Sequence, residues 1–230
     1  MKRHIVALGG GGFTTGGDPR LDDFVLGLTG RERPRICFLP TATGDSPTYV
    51  VGFYDAFRER AEPSHLELFG RPRRDIRDFL LAQDVLYVGG GNTANMLAVW
   101  RVHGIDEVLR EARERGIVLA GISAGSICWF DAGVTDSFGD ELAPLRCLGF
   151  LPGSNCPHYD SEQERRPTFR RLVESGELPA GLAADDGVGL HFVDAELAEA
   201  VAARANAGAY RVERGESGAV ETTIPVRRLG

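Results

Sequence analysis

Gly121-Ile122-Ser123-Ala124-Gly125 sets one hydroxyl between two glycines. Ile117-Val118-Leu119-Ala120 runs into it and Ser126-Ile127-Cys128-Trp129-Phe130 follows. This is G-x-S-x-G between an apolar strand-like run and a helix start. A turn that tight admits only small residues two places either side of the serine, and it strains the serine so that its hydroxyl projects above a sheet edge. The Ala124 N–H, at the start of the helix, then points to where an oxyanion would form. The chemistry implied is nucleophilic attack on a carbonyl. The plain alternative is a structural turn.

A serine hydroxyl is barely ionised at neutral pH and needs a base. Of five histidines, His4 and His65 open strand-like runs and His103 lies in a turn between helices. His158 lies in the loop Asn155-Cys156-Pro157-His158-Tyr159-Asp160, where the chain has no other evident use for an imidazole. His191, in Gly189-Leu190-His191-Phe192-Val193, alternates with core residues. His158 is therefore the expected base, with His191 as the alternative. A third group must accept from the imidazole and fix its tautomer. Asp131, Asp136, Asp140, Asp160, Asp185 and Asp186 all follow Ser123, and the sequence leaves the choice among them open. Asp160, only two residues from His158, is poorly placed to turn back on it. Asp185-Asp186-Gly187 closes a strand or turn that could present a carboxylate.

A second glycine cluster, Gly89-Gly90-Gly91-Asn92-Thr93, follows Val85 to Val88. Its backbone N–H groups could approach a substrate closely, where side chains would obstruct. Gly89-x-Gly91-x-x-Ala94 also fits the dinucleotide fingerprint, but on a fourth strand instead of a first, so a nucleotide-binding oxidoreductase is the weaker reading. Gly9 to Gly12 has no lysine after it and is not a phosphate-binding P-loop. No His/Cys/Asp/Glu group has metal-ligand spacing. Neither a cofactor nor a metal is expected.

Short apolar runs position these residues: Ile5 to Leu8, Ile36 to Leu39, His65 to Phe69, Val85 to Val88 and Ile117 to Ala120. Each is stopped by Gly or Pro, which marks buried strands. Between them Tyr49 to Arg60, Asp75 to Leu81, Thr93 to Trp100 and Ile105 to Glu114 read as helices. In the last, Ile105, Val108, Leu109 and Ala112 form one apolar stripe. Glu162 to Val173 reads as a further helix with Pro167 near its start or kinking it. The alternation predicts an α/β fold with a mostly parallel sheet flanked by helices. After Asp186, Val188 to Val193, Ala209 to Val212 and Thr222 to Val226 read as strands of a C-terminal β meander. Gly215 to Gly218 is a turn, and Glu196 to Arg204 is helix or strand. With no linker or repeat, residues 1–230 read as a single α/β domain, and the site should lie at the carboxyl ends of the strands.

The net charge of −7 argues against nucleic acid or an anionic membrane as partner, since both require a basic footprint. No run of about 20 apolar residues would span a bilayer. Four cysteines without C-x-x-C spacing read as reduced, buried thiols of a cytoplasmic protein.

Together Gly89-Gly90-Gly91-Asn92-Thr93, Gly121-Ile122-Ser123-Ala124-Gly125, Pro157-His158 and Asp186-Gly187 resemble, in order and spacing, the peptidase E (α-aspartyl dipeptidase) family of serine peptidases, with cyanophycinases as more distant relatives. The resemblance covers the chain from the first strand to the Asp186 segment. It implies a flavodoxin-like fold related to the class I glutamine amidotransferase domain, with Ser123 as nucleophile, His158 as base and Asp186 as the acidic member. Well-known members carry glutamate there, so aspartate is a shorter reach and keeps Asp185 in play. Gly91 and Ala124 would supply the oxyanion N–H groups. Asn92 matches a substrate-side residue, and Arg165 matches the arginine that meets a substrate aspartate, although on a helix face it could equally be a solvated charge. The implied partner is a short peptide with an N-terminal aspartyl residue, with isoaspartyl, cyanophycin-type or neutral substrates as alternatives, and a homodimer is left open. A non-catalytic binding protein with an inert elbow is the remaining reading.

Overall fold

The computed structural model describes residues 2–15 and 18–230. In chain order the elements begin with β1 (His4–Leu8), α1 (Arg20–Gly27), β2 (Arg35–Leu39), α2 (Pro47–Phe57), β3 (Glu62–His65), α3 (Ile76–Leu81), β4 (Val85–Val88), α4 (Thr93–His103), α5 (Ile105–Glu114) and β5 (Val118–Ile122). Then come α6 (Ala124–Ile127), β6 (Phe130–Thr135), β7 (Ala143–Arg146), β8 (Leu151–Cys156), α7 (Arg165–Ser175) and β9 (Gly181–Ala184). The chain closes with β10 (Val188–Val193), β11 (Glu196–Ala202), β12 (Ala209–Gly215), β13 (Gly218–Ile224) and β14 (Val226–Arg228).

Among the described residues the strands form two sheets. The first has eight strands in the order β14-β11-β10-β1-β5-β4-β2-β3. Its stretch from β1 to β3 is parallel, while β10 runs antiparallel to β1 and β11 antiparallel to β10. The second has six strands in the order β13-β12-β9-β8-β6-β7, with a parallel centre of β6, β8 and β9. This is the expected α/β architecture, with one addition: the final strands divide between the sheets. β10, β11 and β14 extend the first sheet, and β12 and β13 extend the second.

Alternation along each strand sorts the core into layers. Val6, Leu8, Phe38 and Tyr87 face α1 and α2, where Leu21, Val25, Phe53 and Phe57 cover them. Ile5, Ala7, Leu86 and Val88 face the other way. There they meet Trp100 of α4, the Ile105, Val108, Leu109 and Ala112 stripe of α5, and Phe130, Leu151 and Leu182 of the second sheet. The second sheet's outer face carries Val134, Ala183 and Val212, under Phe169, Leu172 and Val173 of α7.

Some boundaries differ from the sequence expectation, each for a local reason. The third strand is Glu62–His65, not His65 to Phe69. It is an edge strand whose register is set by β2, Arg35 opposite Glu62, and the chain leaves the sheet once β2 ends. Leu66 and Leu68 are still buried, and the Leu68 and Phe69 N–H groups donate to the Asp45 carboxylate. Pro167 is the third residue of α7, inside the first turn, where a missing N–H does no harm. The alanine-rich Glu196–Ala202 is a strand because it pairs with β10 across a bulge at His191/Phe192.

Cys37, Cys128 and Cys156 are buried and Cys147 partly so, all as free thiols, and burial pushes Cys37, Cys147 and Cys156 up to about 12. They are therefore unreactive as thiolates. No helix among the described residues is long and apolar enough to cross a membrane.

One buried carboxyl makes stability depend on pH. Asp22 in α1 accepts a hydrogen bond from the Tyr87 hydroxyl at 3.1 Å, and burial raises it from 3.8 to about 7. Between those values the folded chain holds a proton that the unfolded chain has released, so stability falls as pH rises through this window. Above it the cost is on the order of 4 kcal/mol. Asp22→Asn should therefore stabilise the chain at about pH 8 far more than at about pH 4. Thermal midpoints of both proteins across that range check this, and a difference independent of pH would refute it.

Candidate active site

β1, β5 and β4 are neighbours in the first sheet, so the loops at their carboxyl ends lie side by side. Ser123 leaves β5 with φ 56° and ψ −111°, and the Ser126 and Ile127 N–H groups bond back to its carbonyl at 2.8 and 2.9 Å. For a residue with a Cβ this backbone costs on the order of 1–3 kcal/mol and is held by its surroundings. Gly121 is packed on the backbone of Gly125, and Gly125 on Val88 of β4, so any Cβ at either would overlap main chain. The G-x-S-x-G spacing is thus a packing requirement. One hydrogen bond locks the elbow to the second sheet, Ser126 Oγ to Asn155 Oδ1 at 3.0 Å, and that asparagine is itself held within the sheet by Nδ2 donating to the Leu182 carbonyl at 3.2 Å.

The Gly89–Gly91 loop passes over the serine. A Cβ at Gly90 would sit 3.7 Å from Ser123 Oγ. Gly91 has φ +127°, and a Cβ there would overlap the Ala42 carbonyl. Neither the Gly91 nor the Ala124 N–H has an acceptor among the described residues. Both are free donors beside the serine, as an oxyanion site requires.

His158 follows β8 and Asp186 follows β9, so these two come from the second sheet. His158 Nδ1 lies 2.7 Å from Asp186 Oδ1. The carboxylate only accepts, so Nδ1 carries a proton, and in the neutral ring that leaves Nε2 as the acceptor. The hydrogen bond from His158 holds the Asp186 carboxyl below its usual range, against the opposing effect of burial. Asp185 is engaged elsewhere: its Oδ2 accepts from the Gly208 N–H at 2.7 Å, and burial raises it. Of the two carboxylates, Asp186 is the one in contact with His158. His191 lies in mid-strand, its Nε2 3.0 Å from His4 Nδ1.

Ser123 Oγ and the His158 ring are not hydrogen-bonded to one another in this structure. What joins their loops is the end of β1. The Ser123 N–H donates to the Leu8 carbonyl at 3.3 Å, and the His158 N–H to the Gly9 carbonyl at 2.9 Å. The Gly187 N–H donates to the Gly10 carbonyl, also at 2.9 Å. A Cβ on Gly10 would overlap the Asp186 carboxylate and lie 3.0 Å from His158 Nδ1. Within the Gly9–Gly12 run, which is not a phosphate loop and has no role evident along the chain, Gly10 is the wall behind the His158–Asp186 pair. Its place at the end of the first strand was the available signal.

A cleft of about 230 Å³ opens beside the serine, lined by Gly91, Asn92, Ser123, Asp136, Glu162 and Arg165. Arg165 is 2% exposed and so is not a solvated helix charge. Its Nε donates to Glu162 at 2.6 Å and its Nη1 to the Val134 carbonyl at 2.9 Å, while Nη2 stands 4.0 Å from Asp136. Asn92 lines the cleft, but its side chain caps α4 by accepting from the Asn95 N–H and donates to the Ser137 carbonyl. Asp136 and Glu162 as cleft carboxylates were not expected from the sequence. Among the described residues no group of three His, Cys, Asp or Glu side chains could hold a metal ion.

Gly10→Ala must displace Asp186 from His158. It should lower the rate at which a serine-directed reagent labels Ser123 by about 100-fold, the scale of a 1 Å misplacement, with the fold kept. Labelling rates and thermal midpoints check this; an unchanged rate would show that the contact is not needed.

Residues 5–200 match the model of peptidase family S51. Over 230 residues the chain is 51% identical to a protein of Bacillus subtilis (strain 168) named uncharacterized peptidase YgaJ, covering 99% of this chain and 100% of that one. Two solved structures share the fold at low identity. One is a peptidase from an acI-B1 Actinobacterium, with TM-score 0.69, 15% identity, and 96% of this chain and 94% of that one covered. The other is a putative peptidase E protein from Listeria monocytogenes EGD-e, with TM-score 0.59, 16% identity, and coverages of 98% and 100%. With the family model spanning most of the sequence and a relative of this identity along its full length, the chain belongs to peptidase family S51, the peptidase E family.

Proposed function

We propose that the chain is a serine-type dipeptidase acting on short peptides with an N-terminal aspartyl residue. The observation that carries the mechanism is the 2.7 Å contact between His158 Nδ1 and Asp186 Oδ1 beside a strained, partly exposed Ser123. Ser123 Oγ attacks the scissile carbonyl and His158 Nε2 takes its proton. Asp186, kept charged, fixes the tautomer and stabilises the imidazolium. The Gly91 and Ala124 N–H groups receive the oxyanion, and one such donor is worth about 3 kcal/mol. His158 then protonates the leaving amine, and water hydrolyses the acyl-enzyme. The open Ser123–His158 contact closes as substrate enters, as catalytic hydrogen bonds commonly do.

The size and charge of the cleft support the substrate assignment. Some 230 Å³ accommodates about one residue, below the usual range of ligand pockets of roughly 300–1,000 Å³. Beyond its bonds to Glu162 and Val134, Arg165 has Nη2, held only by a 4.0 Å ion pair with Asp136, and this nitrogen takes the substrate's side-chain carboxylate. Asp136 and Glu162 outnumber that single cation, and they take the free α-ammonium. Asn92 holds the wall between Ser123 and these charges. A zwitterionic N-terminal aspartate matches this arrangement better than a neutral residue does.

Ser123→Ala should abolish hydrolysis and leave the thermal midpoint close to that of the parent. Retained turnover would end the serine mechanism. A panel of Asp-X, isoAsp-X, Glu-X and neutral dipeptides should show cleavage of Asp-X, and N-acetyl-Asp-X should be refused. Arg165→Gln should lower kcat/KM for Asp-X by about 10- to 100-fold, the value of a charged hydrogen bond. Equal cleavage of neutral or isoaspartyl dipeptides by the parent enzyme would overturn the specificity while leaving the mechanism in place.

A further inference from the structure

Asp186 reaches His158 with one of the shortest charged side chains, so the position of its main chain decides whether the contact exists. That main chain is held on both sides. Its N–H donates to Asp160 Oδ1 at 2.9 Å, and its carbonyl accepts from Arg204 Nε at 3.1 Å. The ring closes because Arg204 Nη2 also donates to Asp160 Oδ2. One guanidinium and one carboxylate therefore bracket the peptide groups of Asp186. Asp160 lies two residues beyond His158, so the same pair ties the histidine's loop to the aspartate's.

Arg204 comes from a third segment, just past the end of β11. The Ala203 N–H donates to the Gly187 carbonyl at 2.9 Å and draws that segment in. Gly187 has φ +80°, and a Cβ there would stand 3.0 Å from Arg204 Cβ. The glycine after Asp186 is thus needed for Arg204 to approach. None of these contacts reaches the cleft beside Ser123.

We infer that Arg204 and Asp160 are positioning residues for the proposed catalytic pair: they set the main chain of Asp186 so that its short side chain meets His158 Nδ1. This inference rests on the Ser123–His158–Asp186 mechanism proposed above. It predicts an effect on the chemical step and none on substrate capture, because neither Arg204 nor Asp160 lines the cleft beside Ser123.

The test uses the full chain with Arg204→Gln, Arg204→Lys, Asp160→Asn and the double variant Asp160→Asn/Arg204→Gln, assayed on the preferred dipeptide with Ser123→Ala as control. The Arg204 side chain is 51% exposed, so its replacement leaves no cavity in the core. Arg204→Gln and Asp160→Asn should each lower kcat by about 10- to 100-fold with KM unchanged, the scale expected for misplacing a catalytic group. The double variant should be no worse than the poorer single one, because both remove the same ring. Arg204→Lys, which keeps the charge but not two divergent donors, should recover part of the loss. Parent-like kcat in both single variants, or a rise in KM at constant kcat, beside an inactive Ser123→Ala control would overturn the clamp and leave the serine mechanism standing. An active Ser123→Ala control would overturn both. If Asp160→Asn unfolds, the comparison of Arg204→Gln with Arg204→Lys decides.

Discussion

The site depends on the chain leaving β1 through residues with no side chain. Gly9 and Gly10 run against the β9–β10 loop so closely that the Asp186 carboxylate occupies space a methyl group on Gly10 would need. The Gly9 carbonyl takes the His158 N–H, and the Gly10 carbonyl takes the Gly187 N–H. Main-chain hydrogen bonds from two otherwise separate loops thus converge on two consecutive peptide units. Buried backbone groups must be paired, so this arrangement fixes both loops at once.

That contact is also where the two sheets meet. The serine ends a strand of the first sheet, and the histidine follows a strand of the second. Asp186 lies on the segment that crosses from β9 in the second sheet to β10 in the first. The proposed nucleophile, base and carboxylate, distributed in this way, can be held in register only by rigid packing between layers. The layer between the sheets supplies it through Phe130, Leu151, Leu182 and Ala184, packed against Ile5, Ala7 and Val88. The elbow is cross-braced by Ser126 and Asn155, so strain at Ser123 is resisted from beneath.

Charge is arranged with the same economy. Arg165 is almost completely buried, which is tolerable because Glu162 and the Val134 carbonyl satisfy two of its nitrogens. Arg165 and two carboxylates, Asp136 and Glu162, line one small cleft, giving it both signs of charge within a space of about one residue. On the far side of the imidazole a second ion pair, Arg204 with Asp160, brackets Asp186 without entering that cleft.

Much of this was legible in the residues, wherever the cause is local. The steric rule of a tight strand-to-helix turn is written in Gly121 and Gly125, and the stripe Ile105, Val108, Leu109 and Ala112 predicts α5 from helical period. Val85–Val88 and Val188–Val193 begin and end where apolar runs meet glycine or a turn. Less was legible where pairing partners decide. Phe130–Thr135 and Leu151–Cys156 contain Gly, Asn, Ser and Pro, and they are strands because the second sheet pairs them. Whether Asp185 or Asp186 meets His158 turns on Gly208, a residue more than twenty positions away that claims Asp185. The purpose of Gly9 and Gly10, and the use of Arg204 and Asp160, are likewise invisible along the chain. A sequence specifies by itself what neighbours within one turn or strand must be, because those sterics are short-ranged. Which distant carboxylate, arginine or glycine shares a site is set only when packed layers fix loops against each other.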